Sequence, residues 1–369
     1  MTDQFCSLSL EQKVGQLFII GIPGAALDDE TRLLLDEVSP GGICLFARNI
    51  RDAAQTRLLL DELRSASSIG PFLSVDQEGG LVDRLRRITG PMPAASLMQN
   101  SDNSRELGSI IGDALSLLGF NFNFAPVVDV INAGRSEKAN GLYSRGFGQS
   151  AESVVENAAA FLLAMQEQGV LGCLKHFPGL GAARVDSHED LPVIPVSEAD
   201  FTDVDLRPFR ELIADGNIVA VMAAHAVFPA INLQSQNPDG KPLPASLNPV
   251  CIDGMLRRDV GFTGIVITDD LEMGAIVNNY GIGEACRLAI AAGVDMLAIC
   301  SDPDKIREGY RSVLEAVSNG EIAEARIDAS LQRVAQIKSQ LPAPPEFDSG
   351  KVGQLSNRIA KLSERLAHN

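Results

Sequence analysis

An α/β fold, closed as a single-domain (β/α)8 barrel of the TIM type with a helix appended at its C-terminal end, is what this sequence predicts. Three observations lead there. Eight short apolar runs recur at 16–21, 42–46, 72–75, 122–130, 170–174, 218–223, 264–267 and 294–299. Their starts lie about 26 to 50 residues apart, near the ~30-residue βαβ unit plus loop insertions. Segments of helical periodicity fill the gaps between them.

Each run is apolar on consecutive positions and bounded by Gly, Pro or charge, the pattern of a strand buried on both faces of a parallel sheet. Amphipathic helices are expected over 52–65, 104–118, 151–168 and 204–215, with Ser150 capping the third and Gly169 just past its end. The rival, an open doubly wound sheet, would carry a G-x-G-x-x-G turn after the first strand. Gly21-Ile-Pro-Gly24 is not that turn. A helix over 321–341 is stopped by Pro342-Ala-Pro-Pro345. Beyond it Leu355, Ile359, Leu362 and Leu366 recur at helical spacing. The barrel is therefore assigned to 1–341 and a helical tail to 342–369.

Composition removes several function classes. The 369 residues hold 31 Lys+Arg against 48 Asp+Glu, a formal charge of −17. Such a chain repels phosphate backbones and anionic membranes, so neither is an expected partner. With 45% apolar and 21% charged residues, disorder is excluded. No apolar run is long enough to cross a bilayer, and Asp3, Glu11 and Lys13 fall where a signal peptide would be apolar. The six cysteines (Cys6, Cys44, Cys173, Cys251, Cys286, Cys300) are scattered, without C-x-x-C spacing, so neither disulfides nor zinc are expected. A reducing cytoplasm fits best. There is no Trp and there are only three Tyr. Long polysaccharides are gripped by stacking aromatics, so a sugar site here would be a small polar pocket.

In barrels of this type the chemistry comes from strand C-termini and the loops after them. Asp76, Gln77, Glu78, Gly79, Gly80 and Arg84 follow the third run, and Asp129 lies in the fourth with Arg145 beyond it. Lys175 and His176 follow the fifth, then Asp186, Ser187 and His188; His225 follows the sixth, and Thr268, Asp269 and Asp270 the seventh. Singly, each has an ordinary explanation as helix cap, rim ion pair, turn residue or surface arginine. Five of eight strand ends carrying charge or imidazole is harder to explain that way. Metal hydrolysis is disfavoured, because no histidines follow the first strand. A Schiff-base lyase would use Lys175. Glycoside hydrolysis would use Asp269 as an anionic nucleophile, and Asp186 with His188 as proton donor, Asp186 fixing the imidazole tautomer.

Lys175-His-Phe-Pro-Gly-Leu-Gly181, with Asp186-Ser-His188 and Leu191-Pro192, resembles the signature of family 3 β-N-acetylglucosaminidases. Val75-Asp-Gln-Glu-Gly-Gly80, Asn123-Phe-Ala-Pro-Val-Val-Asp129 and Gly264-Ile-Val-Ile-Thr-Asp-Asp-Leu271 resemble their third, fourth and nucleophile strands. The resemblance spans about residues 8 to 340. It implies a retaining, exo-acting hydrolase that removes terminal non-reducing β-linked N-acetylglucosamine. Asp269 would be the nucleophile, and His188 the acid/base oriented by Asp186. Asp76, Arg84, Arg145, Lys175 and His176 would bind sugar hydroxyls. Bacterial relatives of this kind act in the cytoplasm on cell-wall muropeptides. A monomer acting on a small sugar substrate, with no cofactor and no metal, is the corresponding expectation. The Phe177–Pro178 bond is expected to be cis.

Two positions depart from the pattern. Leu180 stands where a second His is frequent, and Leu81 where Arg commonly follows Gly-Gly. They bear on aglycone preference and loop packing rather than on the assigned roles. Three other functions stay open at this level: a family 3 phosphorylase taking phosphate as acceptor, the Lys175 lyase, and a non-catalytic sugar-binding protein.

Overall fold

Eight parallel strands close on themselves: β1 Phe18–Gly21, β2 Gly42–Leu45, β3 Phe72–Val75, β4 Phe122–Asn123, β5 in two pieces (Leu171–Gly172 and Leu174–Phe177), β6 Ala220–Ala223, β7 Ile265–Asp270 and β8 Met296–Ile299. β5 makes the closure. Its first piece pairs with β4 through Phe122↔Leu171, and its second pairs with β6 through Leu174↔Val221. The structure, a computed structural model, describes residues 5, 7–136, 141–229, 235–237 and 239–368; Asp3, Cys6 and Asn369 lie outside them.

Each strand is followed by a helix: α1 Asp29–Val38, α2 Ala53–Ala66, α3 Ser101–Leu118, α4 Ala151–Gln166, α5 Arg207–Ala214, α6 Val250–Asp259, α7 Ile282–Ala292 and α8 Pro303–Ser318. Side chains of Asp28, Asp52, Asn100 and Ser150 cap α1 to α4 by accepting a first-turn amide proton. The expected helix over 204–215 is shorter at its start, because a wide i→i+5 turn over Phe201–Asp205 precedes α5. The eight-fold alternation is the predicted architecture.

Strand periodicity sorts the side chains. Ile19, Phe72, Phe122, Cys173, Ile265, Ile267 and Met296 point into the barrel, while Ile20, Ile43, Leu73, Leu174, Val221, Val266 and Leu297 pack under the helices. Two strands differ from expectation. β4 makes ladder pairs at Phe122–Asn123 and a single bridge at Val127↔Lys175 rather than a continuous ladder over 122–130, since Pro126 has no amide proton to donate. It continues as single bonds, Phe124 N–H to Val75 O (2.9 Å) and Val128 N–H to Lys175 O (2.8 Å). β5 runs on to Phe177, so Lys175 and His176 lie within the strand, not after it.

The barrel floor is closed by α9, Glu324–Lys338, whose Val334 and Ile337, with Leu341 beyond it, join the interior cluster. Lys338 covers the floor: its Nζ lies 5.3 Å from the centre of the Phe72 ring and 2.9 Å from Gln16 Oε1. After the proline run, α10 (Ser349–Ala367) buries Leu355, Ile359 and Leu362, and Arg358 reaches Asp113 and Ser109 of α3. Among the described residues no helix is long and apolar enough to cross a membrane. Cys44, Cys173, Cys251, Cys286 and Cys300 are buried free thiols.

Candidate active site

At the C-terminal ends of the strands a cavity of about 260 Å³ is lined from around the barrel. β2 and its loop supply Cys44, Phe46 and Arg48; the segment after β3 supplies Asp76 and Arg84; the loop after β4 supplies Arg145. β5 supplies Lys175 and His176, and the loop beyond it Leu180, Asp186 and His188. Met222, Asp269, Asp270, Met273, Ala298 and Cys300 complete the other side. All eight residues read from the sequence as functional are in this wall.

Two register irregularities make that possible. Along β5, Leu174↔Val221, Lys175↔Met222 and Phe177↔Ala223 leave one residue extra against β6. Along β7, Ile267↔Met296 and Asp270↔Ala298 leave one extra against β8. Regular strands aim successive side chains at opposite faces. A bulge breaks that alternation. Lys175 with His176, and Asp269 with Asp270, therefore all reach the same cavity. Phe177–Pro178 is cis, as expected; Ala125–Pro126 and Lys175–His176 are cis as well.

A chain of alternating charges runs across one wall. Lys175 Nζ lies 2.6 Å from Asp76 Oδ1 and 2.7 Å from Glu78 Oε1. Glu78 also accepts from Arg145 Nε (2.8 Å) and Nη2 (2.9 Å). Burial would raise the Glu78 pKa, but Lys175 and Arg145 outweigh it and hold the carboxyl well below the usual range. Burial likewise opposes the charge on Lys175, and Asp76 and Glu78 reverse the effect, so its pKa is raised. The wall is a fixed array of dipoles and charges, suited to hydroxyl groups.

On the neighbouring wall His176 Nδ1 lies 2.7 Å from Asp129 Oδ2, whose other oxygen accepts the Leu180 amide (2.6 Å). Asp129 thus holds the proton on Nδ1. Nε2 then faces Asp269 Oδ2 at 4.0 Å. Asp269 Oδ1 accepts the Asp270 amide at 2.9 Å. Burial pushes the Asp269 pKa up, yet His176, His225, the Asp270 amide and Lys175 together bring it below the ordinary carboxylate value. Asp270 goes the other way: burial, with Glu272 and Asp269 nearby, pushes it up to about 7. The two adjacent carboxyls are separated in acidity, Asp269 the anion and Asp270 carrying a proton near neutrality.

The loop after β5 carries Asp186 and His188. Asp186 Oδ1 accepts the His188 amide (2.9 Å) and lies 2.8 Å from Nδ1, leaving Nε2 directed away. The His188 side chain is 69% exposed and that of Asp186 32%. Asn278 Nδ2 reaches Glu189 O (3.2 Å) at the far end of the loop, and backbone bonds add to that tether. Gly274 N–H reaches His188 O (3.2 Å), and Ala275 N–H reaches Ser187 O (3.1 Å).

Residues 9–337 match the family description "Glycosyl hydrolase family 3 N terminal domain". The chain belongs to glycoside hydrolase family 3. Its relatives include a β-hexosaminidase from Thiobacillus denitrificans, 33% identical over 296 residues covering 78% of each chain. Another, from Tolumonas auensis, is 32% identical over 82% of this chain and 86% of its own. Among solved structures, the family 3 β-N-acetylglucosaminidase from Paenibacillus sp. str. FPU-7 superposes with a TM-score of 0.86. It is 34% identical and is matched over 97% of this chain and 69% of its own. The β-N-acetylhexosaminidase from Beutenbergia cavernae gives 0.81 at 29% identity, over 90% and 99% of the two chains.

Against the family 3 motifs, the structure adds residues that the sequence reading left without a role. Glu78 is the keystone between Lys175 and Arg145, and Asp129 orients His176. Glu78 sits two residues past Asp76 on the short hairpin Gln77–Gly79 with Val82–Asp83. That i, i+2 spacing was the available signal. Phe46 lines the mouth, with Arg48 4.8 Å and Arg84 5.9 Å from its ring centre. Of the two departures, Leu180 is buried in the cavity wall and Leu81 is exposed at the hairpin tip.

Proposed function

We propose that this family 3 β-hexosaminidase is a retaining exo-β-N-acetylglucosaminidase acting on cytoplasmic muropeptides, through a glycosyl-enzyme on Asp269 with Asp186 and His188 as acid/base. One observation carries the reading. A carboxylate kept ionised and a partly exposed Asp–His pair line one cavity of about 260 Å³, which is on the scale of one sugar ring. Asp269 would attack C1. The leaving oxygen would take its proton from His188 Nε2, with Asp186 holding Nδ1. In the second step neutral His188 would accept a proton from water as it attacks the glycosyl-enzyme. Asp76, Arg84, Arg145, Lys175 and His176 would take the ring hydroxyls, Lys175 and Arg145 pre-set by Glu78.

The test compares an aryl β-N-acetylglucosaminide, an aryl β-glucoside and an N-acetylglucosaminyl-anhydromuramyl peptide. Preferential turnover of the first and third, with free N-acetylglucosamine formed even in phosphate buffer, is expected. Sugar 1-phosphate as the main product would replace hydrolysis by phosphorolysis, and preference for the glucoside would overturn the substrate.

A further inference from the structure

The structure assigns His225 and Ser246 as a clamp that positions the nucleophile Asp269 by holding the bulge in β7; the inference rests on the reading of Asp269 given above. His225 follows β6 and is buried, as is Ser246. Its Nε2 lies 3.2 Å from the Asp270 carbonyl, and its Nδ1 2.7 Å from Ser246 Oγ. A carbonyl oxygen can only accept, so Nε2 carries the proton. With the imidazole neutral, Nδ1 accepts from the Ser246 hydroxyl. Burial favours that neutral form. The tautomer is fixed from both sides, and Ser246 is itself held by its amide on Ala224 O at 3.1 Å.

The object being clamped is the bulged part of β7. Across from it, the Ala298 amide reaches Thr268 Oγ1 at 2.9 Å, and the Leu271 amide reaches Ala298 O at 2.9 Å. The extra residue lies between Ile267 and Asp270, while Asp270 keeps Ala298 as its register partner on β8. Asp270 has two backbone groups to settle. Its amide points at Asp269 Oδ1 (2.9 Å), and its carbonyl accepts from the Met273 amide (3.0 Å) on one side and from His225 Nε2 on the other. Holding the carbonyl sets how the residue is turned, and so keeps the amide on Asp269. One carboxylate oxygen is thereby occupied and the other, Oδ2, is presented toward His176. His225 acts through Asp270 backbone and is a positioning residue. A displacement of the reacting atom by about 1 Å can lower a rate about 10²-fold.

The experiment uses the two ends of the imidazole separately. In His225→Gln the side-chain amide can place a donor near the former Nε2; in His225→Asn it reaches only the former Nδ1. On an aryl β-N-acetylglucosaminide, His225→Gln should stay within about threefold of the parent. His225→Asn and His225→Ala should lose about 10²-fold in kcat with KM changed less than about threefold. Ser246→Ala should fall in between. Hydrogen exchange at the Asp270 amide, which needs no substrate, should be slow in the parent and His225→Gln and at least tenfold faster in His225→Ala. Melting curves confirm that each variant is folded. If His225→Gln is as impaired as His225→Ala, or if Asp270 exchange is the same in all variants, the clamp is wrong. Loss of the parent's activity on that substrate, with the exchange pattern intact, would fault the proposed function and leave the clamp standing.

Discussion

Glu78 receives both the Nε and the Nη2 of Arg145, at 2.8 and 2.9 Å, while its other contact is the ammonium of Lys175 at 2.7 Å. One buried carboxylate therefore holds two cations in place. Glu78→Gln keeps the shape and removes the charge, leaving Lys175 and Arg145 under-compensated. Breaking a buried ion pair is worth about 3–5 kcal/mol. Denaturant unfolding should show a loss of that order, and KM for N-acetylglucosaminides should rise. Unchanged stability would mean that Asp76 alone satisfies Lys175.

The adjacent carboxyls should behave oppositely. Asp269→Asn should reduce turnover to background, whereas Asp270→Asn should remain active; the reverse would exchange their roles. With its pKa held below the ordinary value, Asp269 should stay ionised, and the acid limb of kcat/KM should lie below the usual carboxylate range near 4.

Asp270 also makes a stability prediction. Its folded pKa of about 7 lies above the unfolded value, so its contribution is fully present below about pH 4 and is lost as pH rises through 7. Asp270→Asn cannot ionise. Its Tm relative to the parent should therefore be higher at pH 8 than at pH 4. A pH-independent difference would contradict the raised value.

Leaving-group chemistry separates His188 from a mere binding role. An aryl oxide departs with little protonation, and a sugar alkoxide needs a full proton. His188→Ala should slow natural disaccharides about 10²–10⁴-fold more than formation of the glycosyl-enzyme from an activated aryl substrate. Equal losses in pre-steady-state kinetics would remove it from the acid role.

Gly181 sits at the base of the His188 loop, where a Cβ would come within 2.4 Å of Val130 O. Backbone cannot yield cheaply there. Gly181→Ala should lift the loop and impair natural substrates more than activated aryl ones. Identical losses on both would place its effect on sugar binding instead.

The barrel and its polar strand ends were legible in the sequence because buried parallel strands are short, apolar and separated by helical segments. Lys175, His176, Asp269 and Asp270 were visible as residue types, but not as four groups facing one cavity. Bulges arise from register with β6 and β8, which no single strand encodes. The end of β5 at Phe177 was missed because Lys175 and His176 interrupt its apolar run. Glu78 read as a helix cap or loop acid, since its partners Lys175 and Arg145 lie 97 and 67 residues away in the chain.

The floor sealed by Val334, Ile337 and Lys338 has a kinetic consequence. On the proposed Asp269 route, the water that resolves the glycosyl-enzyme would enter from the strand C-terminal side, where the aglycone would also depart. Departure would precede hydration, and any alcohol lingering at the mouth would compete with water for the anomeric carbon. Partition between hydrolysis and sugar transfer would then follow traffic at that mouth, and rising acceptor concentration should shift products toward new glycosides.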